Sequence, residues 1–347
     1  MMKKCLLFLC CLLLTLPLLG SAEEEKALNL FTWELYVDDQ TIQDFQKATG
    51  IKVNYVAFRD NESMMTKLQL GGGSDYDVII ASDYTINILR KAGLLQKLDK
   101  AAITRYASID SVLLSPFFDP DNEYSVPYMS GTPLIVYNPD QVEIEITGYA
   151  DLWDESLRDS VVVMDDARNI IGITLKTMGY SFNITDDAIL EKAAEKLNAL
   201  RPNIRSFNSD TPDADLNSGE CAVGYMYGQY ASYAIMENPD LKVVYPKEGV
   251  GFGIDALVIP AGAKHPQNAH LFMDFLLQPE IAAQVAQAQQ FRSPVPEALD
   301  YLPDEFKNNP AINIPSDILE NNEFITDLGE YETKYQNIWS SMKLLDK

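Results

Sequence analysis

The sequence has few of the residues that form disulfides and metal sites. Its 347 residues include only four cysteines and two histidines, and three of the cysteines lie within the first 22 residues. Cys221 is therefore alone in a chain from which that segment is removed, and no intrachain disulfide can form. His265 and His270 have no cysteine beside them, so a His/Cys metal site has little basis. We expect no metal and no cofactor.

Basic residues are also scarce. Lysine and arginine number 27 against 51 aspartates and glutamates, which gives a formal net charge of −24. We expect no nucleic-acid partner, because binding to phosphate needs a basic face. A strongly negative field instead raises the local concentration of cations, although exported proteins are often acidic for solubility alone.

Long apolar runs are absent after the first 22 residues, so no later segment is expected to span a membrane. The start has the three regions of a secretory signal, and we expect cleavage after Ala22. These regions are Met1-Met2-Lys3-Lys4, the apolar run from Cys5 to Leu19, and Gly20-Ser21-Ala22. Lipid attachment at Cys10 or Cys11 is the alternative, although the residue before each is larger than a lipoprotein signal prefers. The sequence predicts export and leaves lipid anchoring open.

The length of the chain suits two domains. Strand-like and helix-like segments alternate up to Gly93, which is typical of an α/β fold with a mostly parallel sheet. The glycine run at 71–73 lacks the Lys-Ser/Thr of a phosphate loop and is interpreted as a linker. The predicted order is a strand from Leu28, a helix capped by Asp38 or Asp39 and ended by Gly50, a strand at 51–58, a helix capped by Asn61, and a strand from Tyr76 to Ala81.

A second unit begins near Thr132, where an apolar strand follows a loop rich in Pro, Asp and Asn. It has its own strand at 161–164, which leads into Asp165-Asp166-Ala167-Arg168 and a helix. Further along the chain, Asp255 stands alone within an apolar strand at 252–260. A buried carboxylate needs partners, so Asp255 is a candidate functional residue.

An aromatic and acidic cluster follows the first strand. Trp33, Glu34 and Tyr36 stand where this strand should end, and α/β proteins bind ligands at strand ends. Flat aromatic faces beside a carboxylate suit a cationic guest with an apolar body. The alternative is that these are two core aromatics beside a solvated acid.

Five motifs, in order from about Leu28 to the C-terminus, make the chain similar to a known family. They are Thr32-Trp33-x-x-Tyr36-Val37, Tyr76-Asp77-Val78-Ile79-x-x-Ser82-x-Tyr84, Asp165-Asp166-Ala167-Arg168, Tyr245-Pro246-Lys247-Glu248-Gly249 and Asp255-Ala256-Leu257-x-Ile259-Pro260. Together they resemble the bacterial spermidine/putrescine-binding proteins of ABC transporters. Each motif is weak alone, but five at compatible spacings behind a signal peptide are a strong signal.

The resemblance implies a two-lobed, type II-like periplasmic binding protein of the α/β class. Each lobe would be a mostly parallel sheet flanked by helices, with the ligand cleft between the lobes. Residues 1–22 would be the signal peptide, 23–131 and 254–297 the N-terminal lobe, and 132–253 and 298–347 the C-terminal lobe. Thr132–Val136 and Asp255–Pro260 would lie near the segments that cross between the lobes.

The same resemblance implies a function and its partners. The protein would be a monomeric periplasmic receptor that captures a polyamine, putrescine or spermidine, and delivers it to the permease of an ABC transporter. It would not be an enzyme. Contact with the membrane would come only through the permease or a lipid anchor.

The resemblance also implies roles for individual residues. Asp166 and Asp255 would bind ammonium groups, which ionic hydrogen bonds favour, and the methylenes would lie against Trp33 and Tyr227. Alternatively, Asp165 and Asp166 cap the helix that follows them, and Tyr227 belongs to the core. The remaining predicted site residues are Tyr36, Ser82 and Tyr84 as hydrogen-bonding groups, together with Glu34, Asn169 and Phe291.

Some positions depart from the family pattern. Asn169 stands where spermidine binders carry a glutamate, and Gly253 stands where they carry a tryptophan. Phe291 replaces a tyrosine, Ile325 replaces a glutamine, and Glu34 displaces the family's acid by one residue. These changes remove partners for an extended triamine, so we expect the shorter diamine putrescine to be relatively favoured.

Other functions compete with this interpretation. A receptor for a sugar or an amino-acid-like cation shares the aromatic walls and acids, and is the nearest alternative. An anion receptor would need a basic pocket. An enzyme on the same scaffold would need Cys221 as its nucleophile, although a lone thiol in an apolar strand is usually an inert small hydrophobe.

Overall fold

Strand and helix alternate from the first described residues, as the sequence predicts. The structure is a computed structural model that describes residues 24–71, 73–319 and 322–345, without the side chains of residues 62 and 316. The signal peptide predicted at 1–22 lies outside these residues. The strands are β1 (Ala27–Trp33), β2 (Lys52–Phe58), β3 (Val78–Ser82), β4 (Ser125–Gly131), β5 (Pro133–Tyr137), β6 (Val161–Val163), β7 (Ile204–Phe207), β8 (Val223–Tyr227), β9 (Lys242–Val244), β10 (Gly251–Val258) and β11 (Glu323–Phe324).

Helices cover the faces of the strands. They are α1 (Asp39–Thr49), α2 (Asn61–Gly71), α3 (Asp83–Lys91), α4 (Ala167–Thr177), α5 (Asp187–Asn198), α6 (Pro212–Asn217), α7 (Gly228–Glu237), α8 (Pro266–Leu276), α9 (Pro279–Gln289), α10 (Asp304–Lys307), α11 (Ser316–Leu319) and α12 (Glu332–Lys343). Short 3₁₀ turns lie at Tyr106–Ser108, Ser111–Leu113, Tyr149–Trp153, Glu155–Leu157, Pro296–Tyr301 and Gly329–Tyr331.

The strands form two sheets, which confirms the two-sheet α/β fold. The first sheet has the order β11-β10-β3-β1-β2, and β4 also pairs with β10. The second sheet has the order β7-β6-β8-β5-β9. In the first sheet, β1 is parallel to β2 and β3, whereas β10 is antiparallel to β3 and β4. We call the part of the chain around each sheet the first lobe and the second lobe.

The chain passes between the sheets at several points. It crosses from β4 to β5 through Thr132 and returns between β9 and β10. The Thr132 hydroxyl donates a hydrogen bond to the Gly251 carbonyl, so these two crossings touch. In β11, the Glu323 carboxylate accepts hydrogen bonds from second-lobe groups, including the Phe182 N–H at 3.1 Å. Contacts of this kind connect the two lobes.

Each lobe has its own apolar core. Leu30, Val78 and Phe272 belong to the core of the first lobe, and Tyr225 and Trp339 belong to that of the second. The lobe boundaries at 131/132, 253/254 and 297/298 stay predictions. Packing favours a later third boundary, because Ala298, Leu302 and Phe306 lie in the first core.

Two local predictions were wrong. The side chain of Asp60, not of Asn61, accepts a hydrogen bond from a first-turn N–H of α2, that of Ser63 at 2.7 Å. Strand β3 begins at Val78 and not at Tyr76. The ring of Tyr76 stacks on Phe31 at 4.0 Å, and the carboxylate of Asp77 accepts hydrogen bonds from other parts of the chain.

Asp77 joins the first sheet to the start of α8. It is 1% exposed, and its Oδ2 accepts hydrogen bonds from the Asn29 N–H at 2.8 Å and from the His265 ring at 2.9 Å. Its Oδ1 accepts from the N–H groups of Lys264 and His265. One buried carboxylate thus satisfies donors from two distant parts of the chain.

We expect Asp77→Ala to lower the free energy of unfolding by about 3 kcal/mol or more, because it leaves several buried donors without an acceptor. Urea unfolding measures this change. Asp75→Ala is the matched control, since Asp75 is exposed two residues away, and its cost should stay below about 0.5 kcal/mol. Equal effects of the two substitutions would contradict the role given to Asp77.

Candidate functional site

The cluster after β1 is held in an irregular loop. Leu35 has a left-handed backbone with φ of 59°, and its carbonyl accepts a hydrogen bond from the Gln289 side chain at 2.8 Å. The Trp33 ring lies 5.1 Å from that of Tyr36, edge to face. Glu34 is exposed. The loop therefore turns the two aromatic rings toward one another and Glu34 toward solvent.

Asp255 is the centre of the first-lobe part of the site. The Tyr36 hydroxyl donates a hydrogen bond to its Oδ2, and Ser82 forms another with its carboxylate. Ser82 is brought there by the pairing of β3 with β10, in which it lies opposite Asp255. Burial raises the pKa of Asp255, against the opposite effect of these two hydrogen bonds.

Asp166 is the centre of the second-lobe part. Its Oδ1 accepts from the Asn169 N–H at 3.0 Å, which makes it the N-cap of α4. Its Oδ2 accepts from the Tyr227 hydroxyl at 2.7 Å and from the Asn169 side chain at 2.8 Å. Asp166 is therefore both a helix cap and a member of a polar cluster. Asp165 instead accepts from the Trp339 indole at 2.6 Å and pairs with Lys343.

The two parts face each other. Burial, followed by the charge of Asp166, raises the pKa of the Tyr227 phenol well above its usual value. Asp255 and Tyr84 of the first lobe contribute to the same shift. Because Tyr227 ends β8 in the second lobe, acids from both lobes act on one phenol. Asp166, Tyr227, Tyr84 and Asp255 are thus brought near one another at the junction of the lobes.

No direct ion pair with a described residue neutralises the acids of this junction, although the charge of Arg168 acts on Asp83 and Asp166 from a longer distance. Among the residues that the structure describes, no lysine, arginine or histidine forms an ion pair with Asp83, Asp166 or Asp255. Asp83 is buried, and Asp166 and Asp255 are half-buried. Carboxylates withdrawn from water in this way are costly without a cation. The arrangement therefore suits a guest that carries positive charges.

The remaining predicted residues have different places. The Tyr84 hydroxyl accepts from the Asn61 side chain at 2.7 Å. Asn169 is 5% exposed, and its Oδ1 has no hydrogen-bond partner within the described parts of the chain. Phe291 packs on the first core. Its ring lies against Gly131, 3.2 Å from the place that a Cβ would take on this glycine. Of the hydrogen bonds between described residues, none joins the side chain of Glu34 to either part of the site.

Asp83 and Asn61 are not among the predicted site residues. Asp83 begins α3, 5% exposed, and burial raises its pKa to about 8, with Asp255 adding to the shift. Its position directly after a buried strand, beside Ser82, is the sequence signal that could have identified it. Asn61 has no such signal, because its contact with Tyr84 joins two helices.

Cys221 does not have the surroundings of a nucleophile. Its side chain is fully buried in the second lobe. Burial raises the pKa of the thiol to about 12, and the charge of Asp215 adds to the effect. A catalytic cysteine needs the opposite shift.

Two wider features complete the description of the site. Within residues 24–71, 73–319 and 322–345, no group of three or more His, Cys, Asp or Glu side chains could hold a metal ion. The helices of the same ranges are all too short or too polar to cross a membrane.

The chain is similar to proteins of known family over nearly its whole length. The family model of the bacterial extracellular solute-binding proteins matches residues 40–314. The spermidine/putrescine-binding periplasmic protein of Escherichia coli strain K12 is 35% identical over 323 residues, or 93% of each chain. A putrescine-binding periplasmic protein of Pseudomonas aeruginosa is 32% identical over 333 residues, which cover 89% of this chain and 90% of that protein.

A solved structure extends the likeness to the fold. The spermidine/putrescine ABC transporter substrate-binding protein of Streptococcus pneumoniae superposes with a TM-score of 0.83 at 32% identity. The superposition covers 92% of this chain and 99% of that one, and therefore includes both lobes.

We expect Cys221 to react with iodoacetamide at pH 8 at least about 100-fold more slowly in the folded protein than in urea, because burial removes both access and thiolate. Mass spectrometry of the signal-free protein measures the rate, with Cys221 as its single thiol. Rapid modification of the folded protein would contradict this and would revive the cysteine-dependent enzyme.

Proposed function

Because the chain belongs to the bacterial extracellular solute-binding proteins, we propose that it is an exported receptor that binds a polyamine between its two lobes. The ligand is putrescine or spermidine, and the receptor delivers it to the permease of an ABC transporter. Export follows cleavage after Ala22, the receptor acts as a monomer, and it catalyses no reaction.

The observation that carries the proposal is the placement of two acids. Asp255 in the first lobe and Asp166 in the second each accept a hydrogen bond from a tyrosine hydroxyl. Neither forms an ion pair with a cation of the described chain. A linear polyamine carries an ammonium group at each end, so one molecule can serve both lobes at once.

The methylenes of such a ligand need apolar walls. Trp33 and Tyr227 are proposed for this role, since each is half-buried at the end of a strand that leads into the junction. Tyr36, Ser82 and Tyr84 supply hydroxyl groups nearby. Glu34 and Phe291 remain proposed as peripheral contacts.

A neutral sugar is a weaker candidate. Its hydroxyls could accept or donate hydrogen bonds at the same residues, but it would leave the half-buried carboxylates of Asp166 and Asp255 without positive charge. An amino-acid-like cation would balance one acid and bring a second negative charge close to the other. The polyamine is the guest that balances both.

We expect putrescine to bind the signal-free protein, and Asp255→Asn to weaken this binding by about 10- to 150-fold, the equivalent of an ionic hydrogen bond of about 1.5–3 kcal/mol. Asp166→Asn should act similarly while still capping α4, since asparagine is a good N-cap. Isothermal titration calorimetry with putrescine, spermidine, cadaverine, ornithine and maltose measures the affinities.

Asp75→Asn is the control for this experiment, because it removes the same charge at an exposed position outside the junction. Polyamine affinity should fall as the salt concentration rises. Binding of maltose or ornithine with no binding of polyamines would refute the proposed ligand class and leave the receptor scaffold intact.

We also expect putrescine to bind at least as tightly as spermidine. Asn169 offers no charge, Gly253 offers no aromatic wall, and Ile325 offers no amide to the third ammonium group of a triamine. Competition of each amine against radiolabelled putrescine tests the order, with cadaverine as a control for length without added charge. Spermidine affinity more than about tenfold above that of putrescine would show that these departures do not set the preference.

A further inference from the structure

One of the two carboxylate oxygens of Asp83 accepts only a weak hydrogen bond from the described residues. Its Oδ1 accepts a hydrogen bond from the N–H of Tyr84 at 2.6 Å. Its Oδ2 accepts from the N–H of Ile254 at 3.4 Å, a long contact at the limit of a hydrogen bond. The side chain is nevertheless 5% exposed. Oδ2 is therefore a buried acceptor able to take a stronger donor.

Glycine at position 253 leaves space beside this oxygen. Apart from the adjoining residues, the one described atom within 4 Å of a Cβ placed on Gly253 would be Asp83 Oδ2, at 3.9 Å. Gly253 is half-buried. Since Gly253 and Asp255 are two residues apart on β10, they lie on the same side of the strand. The open space thus lies next to Asp83 Oδ2, on the face of β10 from which the Asp255 side chain extends to Tyr36 and Ser82.

We propose that Asp83 is a second cation-binding carboxylate of the first lobe, which contacts the same ammonium group as Asp255 through the space left by Gly253. This inference rests on the proposed function, because it assigns a further residue to the same ligand. An ammonium group has three donors, so it can bond to two carboxylates at once.

A structural role alone explains the position of Asp83 less well. An acid in the first turn of a helix is stabilised by the helix dipole, and Asp83 is the first residue of α3. That benefit needs no burial, and it does not require a second acid nearby. Asp83 is buried, Asp255 is half-buried, and the two acids act on one another. Such a pair is costly unless a cation joins the two carboxylates.

The charge state of Asp83 gives the proposal a measurable signature. The charged groups that act on it from neighbouring elements are Asp255 of β10, which raises its pKa, and Arg168 of α4, which lowers it, while burial raises the pKa to about 8. Much of Asp83 is therefore protonated at pH 7 in the empty protein. An ammonium group beside it lowers the pKa, and the proton leaves to the buffer.

The sign of the pH effect follows. Below about pH 8 ligand binding must expel the proton, so putrescine affinity rises with pH, by up to about tenfold per pH unit between pH 6 and pH 8. Above that range Asp83 is already ionised, and the rise should level off.

The test is calorimetric titration of the signal-free protein with putrescine at pH 6, 7 and 8 in phosphate. The titrations at pH 7 and 8 are repeated in Tris, whose ionisation enthalpy differs from that of phosphate. For the unsubstituted protein we expect release of close to one proton at pH 7. Asp83→Asn keeps an oxygen for the Tyr84 N–H, and should remove the proton release, flatten the pH dependence and weaken binding at pH 8 at least tenfold. Asp75→Asn is again the charge control.

A double-mutant cycle identifies the shared ammonium group. If Asp83 and Asp255 bind the same group, the losses of Asp83→Asn and Asp255→Asn should not add in the double variant. Additive losses would place Asp83 elsewhere. Unchanged putrescine affinity and proton release in Asp83→Asn, with lowered thermal stability, would reduce Asp83 to a helix-end acid.

These failures are distinct from failure of the proposed function. If the unsubstituted protein binds no polyamine, the ligand class and the role of Asp83 are both refuted. If it binds putrescine and Asp83→Asn binds it equally well at every pH, the receptor stands and the role of Asp83 alone is wrong.

Discussion

Negative charge that no direct ion pair among the described residues neutralises is the constraint on which the junction of the lobes depends. Asp255 and Asp166 each accept hydrogen bonds from hydroxyl or amide donors. These bonds occupy lone pairs, but they leave the net charge in place. The folded protein therefore holds carboxylates whose surroundings favour a cation.

The same elements carry the acids and connect the lobes. Asp255 lies on β10, shortly after the chain crosses back into the first lobe, and Asp166 opens α4. Two residues into α4, Arg168 donates hydrogen bonds from its Nη2 to the Thr326 carbonyl at 3.0 Å and to the Asn183 side chain at 2.9 Å. Thr326 follows β11, another segment near the crossings. A charge placed between Asp166 and Asp255 therefore acts on the segments about which the lobes would turn.

The sequence predicts most of the site where a single residue breaks a local pattern. Asp255 is conspicuous as an acid in an apolar strand, and Asp166 as an acid before a helix. The helix-cap interpretation of Asp166 and the site interpretation are both compatible with its contacts, because its two oxygens serve different donors. Two local assignments needed contacts between distant residues: Tyr76 stacks on Phe31, and Asn61 bonds to Tyr84 while Asp60 caps α2.

Asp83 shows why the rest could not be predicted. Its surroundings depend on β10 lying antiparallel to β3, with Ser82 opposite Asp255 across 173 positions of chain. No periodicity in the sequence reports that pairing. The role of Gly253 could not be predicted from the sequence either. The space left by its missing side chain borders Asp83 Oδ2, an atom that is distant in the sequence.

If the proposed receptor closes on its ligand, the same acids would favour that closure. Without a guest, acids on opposite lobes repel each other, and this repulsion would favour an open form. A dication between them replaces that repulsion with two attractions, one to each lobe. Since a monocation can provide only one of them, the second charge of the ligand is the part that favours closure. A diamine therefore differs from a monoamine of equal length in the conformation it stabilises as well as in its affinity.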